Sequence, residues 1–348
     1  LSPSTVVAAY DLLQAQGLVE ARAQRGFFVR QGASLPPAVP RTPRHTRRAP
    51  PLDAAALIRS MFEHQGDASQ SPGMGTLPAD WLDLPLLHGA LRRAMVEDAR
   101  EPQSLRYGDA AGDGRLRLAL SRRLSTLGIA ADASQVVTTN GATAALDLVS
   151  HLLLAPGDSV LVDEPGWPLE YARLAQMGVK CIPVPRASDG PDRAALRQIL
   201  AARRMAEAAP RVYVTVSVLH NPTGGTITLA AAHEVLKIAE AHDLTIVEDD
   251  TYAWLASAQA PRLSALDQLR RTVYISGFSK ILTPNWRVGF LAAAPALVDR
   301  AIERKLITTL AAPGLTERAL AIALEQGSLR RHAERMAQRL DAARTRAV

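Results

Sequence analysis

The chain has 348 residues, 47% of them apolar, and a net charge of +6. That is room for about two domains of ordinary size. Its single cysteine, Cys181, excludes an internal disulfide, and the absence of a signal-peptide pattern or a long uncharged apolar run makes a soluble cytoplasmic protein the expectation.

Charge is unevenly spread. Residues 1–52 hold seven arginines, no lysine and two acids, a balance of +5 out of the whole-chain +6. Such asymmetry points to an anionic partner for the N-terminal arm, nucleic acid or a membrane surface. For Arg41–Arg48 alone, a linker made arginine-rich by genome composition remains open. The spacing of Val6, Val7, Tyr10, Leu12 and Leu13 predicts a helix over residues 4–16, capped by Ser2 with Pro3 in its first turn and stopped at Gly17. Leu18–Ala21 and Phe27–Val29, either side of Gln24-Arg25-Gly26, predict a hairpin. A helix leading into a basic hairpin is the pattern of the second half of a winged helix-turn-helix. Residues 31–51 hold six prolines and four arginines with little apolar periodicity, which predicts an extended linker.

Regular structure resumes near Leu52. From about Gly112, apolar strands (Val136–Thr139, Ser159–Val162, Cys181–Val184, Val212–Ser217, Thr245–Val247, Thr272–Ser276, Gly289–Ala293) alternate with helices such as Ala142–Leu154, Arg193–Arg204 and Ala230–His242. This predicts an α/β fold with a mainly parallel sheet, helices on both faces, and a site beyond the carboxyl ends of the strands.

Several segments after these strands carry chemistry. Asn140-Gly141-Ala142-Thr143 is a strand–glycine–helix junction, whose free N–H groups suit a phosphate. Trp167, in Asp163-Glu164-Pro165-Gly166-Trp167, can stack on a ring or pack in the core. Asn221, in His220-Asn221-Pro222-Thr223-Gly224, can donate to a ring oxygen or simply form a turn. Asp249, in Glu248-Asp249-Asp250-Thr251-Tyr252, can sit beside a pyridine nitrogen, and Tyr252 can reach a ring oxygen. An acidic pair after a strand also fits a solvated turn or a metal ligand. Lys280 is one of only four lysines; it closes Ser276-Gly277-Phe278-Ser279-Lys280, and Arg287 follows. A surface lysine would read the same in isolation. A lysine flanked by hydroxyls and followed by a fixed arginine is also how an enzyme holds pyridoxal 5'-phosphate (PLP), the lysine as a Schiff base and the arginine on the phosphate dianion.

In order and spacing, residues Leu105 to Arg287 closely resemble the fold-type I PLP-dependent transferases, aminotransferase class I/II. The resemblance implies a large domain of that fold with PLP as cofactor. It makes Lys280 the catalytic, Schiff-base residue, and gives Asn221 the ring 3'-oxygen, Asp249 the ring nitrogen with Tyr252 its partner, and Trp167 the stacking role. Ala142, Thr143, Ser279 and Arg287 fall to the phosphate. Tyr107 matches the tyrosine reaching the phosphate from the other protomer, which implies a homodimer with shared sites. Two positions depart from the pattern. Gly277 stands where Ser or Thr is common, with Ser276 and Ser279 expected to compensate, and Ala142 offers only its N–H.

Residues 1–30 are similar to the end of a GntR-type winged helix. Ser2, Pro3, Ser4 and Thr5 would face bases or phosphates of operator DNA, and Arg22 and Arg25 phosphates. A GntR-type reader joined by the 31–51 linker to an aminotransferase-like domain at 52–348 resembles the MocR/GabR regulators. Against that family the chain reads as lacking the first two helices of the reader and the C-terminal small domain, with its carboxylate-binding arginine. The expected function is a PLP-dependent transcriptional regulator sensing an amine, an amino acid or PLP itself. An active aminotransferase is the alternative, so whether the chain is an enzyme stays open.

Overall fold

The computed structural model describes residues 2–15, 19–22, 25–29, 77–203 and 209–347, together with Arg59 and Gly75. The linker expected at 31–51 lies outside these residues, as do Gly17 and Gln24. The chain divides into two compact units, Leu1–Pro51 and Leu52–Val348.

In the first unit, α1 spans Pro3–Ala15. Ser2 caps it, accepting from the Thr5 amide through Oγ at 3.3 Å, which satisfies one of the helix's orphan donors. Strands β1 (Val19–Arg22) and β2 (Gly26–Val29) form an antiparallel hairpin in the register Val19 opposite Val29. Gly26 takes φ +91° at the turn, where a side chain would be strained. Tyr10 stacks on Phe27 with ring centroids 4.4 Å apart, which docks the helix on the hairpin. Both strands begin within a residue of the expected positions.

The second unit opens with α2 (Leu84–Arg100) and α3 (Gly114–Thr126), capped by Asp83 and Asp113. Then come β3 (Val136–Thr139), α4 (Ala142–Leu153), β4 (Ser159–Glu164), α5 (Pro168–Gln176), β5 (Lys180–Ala187), the short β6 (Gly190–Pro191) and α6 (Arg193–Arg203). Next follow β7 (Val212–Thr215), α7 (Leu229–Ala241), β8 (Thr245–Asp249), α8 (Leu263–Asp267), β9 (Thr272–Gly277) and β10 (Gly289–Ala292). Helices α9 (Pro295–Thr308), α10 (Gly314–Glu325) and α11 (Ser328–Ala347) complete the described part. The eight strands lie in the order β3-β10-β9-β8-β7-β4-β5-β6. Strands β5, β4, β7, β8 and β9 run parallel, while β10 is antiparallel to both its neighbours.

Period-two alternation covers both faces. Val160, Val162, Val214, Val247, Val273 and Ile275 join Leu146 and Val149 of α4 in one core. Leu161, Tyr213 and Ile246 join Leu196 of α6 and Val235 of α7 in another. Tyr274 and Phe290 pack with Leu120 of α3 and Met336 of α11. The same alternation sorts the acidic triplet. Glu248 and Asp250 share a face: Glu248 accepts the Leu263 and Ser264 amides of α8 at 2.8 and 2.7 Å, and Asp250 takes Nε of buried Arg262 at 2.5 Å. Asp249 points to the opposite, α4 side.

Candidate cofactor site

Chain reversals at the carboxyl end of the sheet build an anion cup. β3 ends at Thr139, Asn140 follows, and Gly141 turns the chain at φ +85° into α4, leaving Ala142 N–H at the helix start. Across from it, Arg287 holds φ +48°, a left-handed backbone that a non-glycine residue keeps only when its surroundings hold it there. Its guanidinium donates through Nη2 to Asn140 O at 3.1 Å and through Nη1 to Ser279 Oγ at 3.5 Å. The cup exists because Gly141 and Gly289 are bare, while Gly277 leaves it open. A Cβ on Gly141 would lie 2.6 Å from Arg287 Nη2, and one on Gly289 would lie 2.4 Å from the Gly141 carbonyl carbon. At Gly277 a Cβ would rest 3.4 Å from Ala142 N and Cβ. Thr143 is half-buried in the first turn of α4.

Ser276 does not compensate for Gly277 as expected. It is buried, and its Oγ donates to Asp250 O at 2.8 Å. Strand alternation turns it away from the cup, so Ser279 is the hydroxyl facing Arg287.

Beside the cup is a narrow slot lined by Trp167, Asn221, Asp249 and His220. Asp249 is fixed by Thr251, whose amide donates to Oδ1 at 3.0 Å and whose hydroxyl donates to the same oxygen. Burial, the largest influence, pushes the Asp249 carboxyl up to about 6; the Thr251 hydrogen bond opposes this and the Glu170 charge adds to it. Lys280 is half-buried. Burial lowers its ammonium pKa, with Asp249 opposing and Arg287 reinforcing the shift. Burial raises the Tyr252 phenol, and the Asp249 charge raises it further. Lys280 Nζ and Tyr252 Oη both flank Gly75, within 3.5 and 3.6 Å of where its Cβ would be.

Sequence reasoning passed over the support beneath the slot. Asp163, at the end of β4, is buried against Arg186 of β5, Nη1 to Oδ2 at 2.7 Å. The same carboxylate accepts the Tyr213 hydroxyl at 2.6 Å, the Thr215 hydroxyl at 2.9 Å and the Val216 amide at 3.1 Å. An acid closing an otherwise apolar strand was the available signal, and it was read only as the approach to Trp167. Burial, then the nearby Arg186 charge, pushes His220 down to about 4 against the pull of Asp163, so the imidazole is neutral at pH 7.

The remaining expected residues lie elsewhere. Tyr107 is 89% exposed, with Leu105 also exposed beside it. In the other unit, the Ser2 hydroxyl is shared with Ser4 and Thr5 at 2.8 and 2.9 Å at the start of α1, where Pro3 is exposed. Arg22 pairs with Glu20 at 2.6 Å and lies over the Phe28 ring, whereas Arg25 is exposed at the turn.

The donor set fits PLP. A bare glycine cradle with a helix N-terminus and a forked guanidinium suits a phosphate dianion, an aspartate suits a pyridine nitrogen, and a desolvated amine suits an aldehyde.

The family described as aminotransferase class I and II matches residues 84–348. An HTH-type transcriptional regulator of Escherichia coli K12, YjiR, is 30% identical over 345 residues, covering 97% of this chain and 71% of its own length. The probable rhizopine catabolism regulatory protein MocR of Rhizobium meliloti is 28% identical over 342 residues, 97% of this chain and 67% of its own. Among solved structures, LysN of Thermus thermophilus, an alpha-aminoadipate aminotransferase complexed with N-(5'-phosphopyridoxyl)-L-leucine, superposes with a TM-score of 0.67 at 26% identity, covering 76% of this chain and 66% of its own. With PLP as its cofactor, the chain belongs to the class I and II aminotransferase family, in the branch where that domain is carried by HTH-type regulators of the MocR kind.

Proposed function

We propose that the chain works as a DNA-binding transcriptional regulator whose PLP domain senses an amine, an amino acid or PLP itself. The observation that carries this is one chain pairing an amine of lowered basicity, Lys280, with a phosphate cup, alongside a capped helix and basic hairpin. Regulator relatives align along nearly its whole length, reader included.

Bound PLP supplies an aldehyde that condenses with primary amines and a ring that draws electrons from them. Arg287, Ser279, Thr143 and the Ala142 N–H hold the phosphate. Trp167 would stack on the ring, and Asn221 and Tyr252 would hold its 3'-oxygen. Asp249 keeps the ring nitrogen protonated. Lys280 Nζ would meet the aldehyde. In a homodimer, Tyr107 reaches the partner's phosphate. Ser2, Pro3, Ser4 and Thr5 at the helix start, with Arg22 and Arg25 on the wing, take the DNA. An effector that binds two arrangements of the dimer unequally then shifts operator affinity.

The test is a titration of the PLP-loaded protein with amines, amino acids and free PLP, followed by visible absorbance and repeated with operator DNA. A ligand that changes both the spectrum and operator affinity supports the reading. Spectral change with indifferent DNA binding overturns it.

A second reading, a working aminotransferase, is favoured by the half-buried position of Lys280, whose burial lowers its ammonium pKa toward the range that proton transfer to and from substrate needs. Sustained transfer between an amino donor and a keto acid, abolished by Lys280→Ala, would establish it.

A further inference from the structure

The Asp163–Arg186 pair sits on the α6–α7 face of the sheet, with Tyr213 and Thr215, opposite the side that Asp249 faces. Asp163 and Thr215 thus form the far wall of the slot, across from Asp249. A buried ion pair is a poor source of stability, because desolvation consumes most of the attraction; apolar replacements are often no worse. What the pair joins is more informative. Asp163 leads through the 164–166 loop to Trp167, and its own carbonyl oxygen accepts the hydroxyl of Tyr171 on α5, the helix that Trp167 opens. On the other side its carboxylate holds the Thr215 hydroxyl and the Val216 amide, where β7 runs out toward Asn221. His220, just before Asn221, is held by Thr223, whose Oγ1 lies 2.9 Å from Nδ1, and its Nε2 lies 3.5 Å from Asp163 Oδ2 without a hydrogen bond.

We propose that Asp163 is a positioning residue for the cofactor ring: neutralised by Arg186, its carboxylate ties the two loops ending in Trp167 and Asn221 together and sets their separation. This rests on the reading of Trp167 and Asn221 as ring-holding residues. Asn221 stabilises the anionic ring oxygen only while its amide is aimed at it. Releasing the β7 loop weakens that hydrogen bond, and the bound chromophore then keeps its proton to higher pH.

The test compares Asp163→Asn and Thr215→Val with Asn221→Ala, each in the full chain loaded with PLP. The readouts are the pH midpoint of the visible absorbance band, the PLP dissociation constant and the thermal midpoint of the cofactor-free protein. Asn221→Ala raises the pH midpoint. Asp163→Asn and Thr215→Val raise it in the same direction by up to about one unit, with PLP binding about ten-fold weaker, the scale of one hydrogen bond to a charged group. A wild-type pH midpoint with a lowered thermal midpoint makes the network merely structural and overturns the proposal, while the Asn221 reading stands. If Asp163→Asn does not fold, Thr215→Val, which leaves the ion pair intact, decides alone. If Asn221→Ala itself leaves the midpoint unmoved, both readings fall.

Discussion

The Arg287 guanidinium donates to the main-chain carbonyl of Asn140 at 3.1 Å, bridging the start of β10 to the end of β3. The Arg287 guanidinium is thereby fixed in place, on a left-handed backbone of φ +48° that its surroundings hold. Arg287→Lys loses the planar fork that spans Asn140, Ser279 and an anion together. PLP affinity falls by about 10- to 100-fold, the range expected for one charge-assisted hydrogen bond. Equilibrium titration by absorbance measures it; unchanged affinity would remove Arg287 from the cup.

Gly277 is the chain's departure from the common Ser or Thr. A Cβ there meets Ala142 N and Cβ at 3.4 Å, ordinary contact, so a small side chain fits. Gly277→Ser adds a hydroxyl beside the helix N-terminus, and PLP binds several-fold tighter for roughly one net hydrogen bond. Binding weaker than wild type would mean that the cup needs the space.

Gly289→Ala drives a methyl to within 2.4 Å of the Gly141 backbone, where no flexible side chain can yield. The chain loses about 3 kcal/mol or more, as overpacking against fixed atoms does. Gly114→Ala, with nothing within 4 Å, is the control and stays near neutral. Paired thermal melts distinguish them; equal melting points would refute the close approach of β10 to the cup.

The carboxyl of Asp249 sits near pH 6 in the folded protein against 3.8 ordinarily. A raised carboxyl means that the folded state holds its proton more tightly, so stability is lost as pH rises from about 4 through 6. His220, depressed to about 4, works oppositely, its contribution being lost as pH falls below its ordinary 6.5. Asp249→Asn removes only the first effect. The cofactor-free variant therefore gains stability over wild type at pH 7, by up to about 3 kcal/mol, and has no advantage at pH 4. Its affinity for PLP drops. Denaturant unfolding at the two pH values checks the sign, and a variant less stable at pH 7 than wild type contradicts the burial of Asp249.

On the N-terminal unit, Arg25 is exposed at the hairpin turn, while Arg22 is already paired with Glu20. Arg25→Ala lowers the slope of log affinity against log salt for operator DNA by about 0.9. Arg22→Ala lowers it less, since Glu20 already screens that charge. Equal slopes for wild type and Arg25→Ala would take the turn off the phosphate backbone.

The strand positions were legible because apolar runs bounded by glycine and proline carry their own register; β3 runs Val136–Thr139 as expected, and β9 extends one residue further, to Gly277. Lys280, Arg287, Asp249, Asn221 and Trp167 could be picked out because each lies near the end of a strand and brings a chemistry of its own. What lay hidden was pairing across the sheet. Nothing near Asp163 in sequence announces Arg186 or Thr215, since both are brought beside it by strand order alone. Ser276 misled for the opposite reason: it is close in sequence, yet a strand turns it to the far face. Tyr107 was placed by resemblance, and among the described residues it stands exposed.

Because β10 runs against its neighbours, the chain leaves β9 and re-enters the sheet at the same end, and the Phe278 amide bonds Val288 O at 3.1 Å to close that connection. Lys280 and Arg287 therefore ride on one short closed loop. The two residues proposed for the aldehyde and the phosphate, groups that leave adjacent carbons of the pyridine ring, are therefore spaced by a single piece of backbone. Such a loop acts as a gauge: a pyridoxal lacking its phosphate offers the amine its aldehyde but leaves the guanidinium unanswered, so one stretch of backbone checks two neighbouring substituents of the same ring.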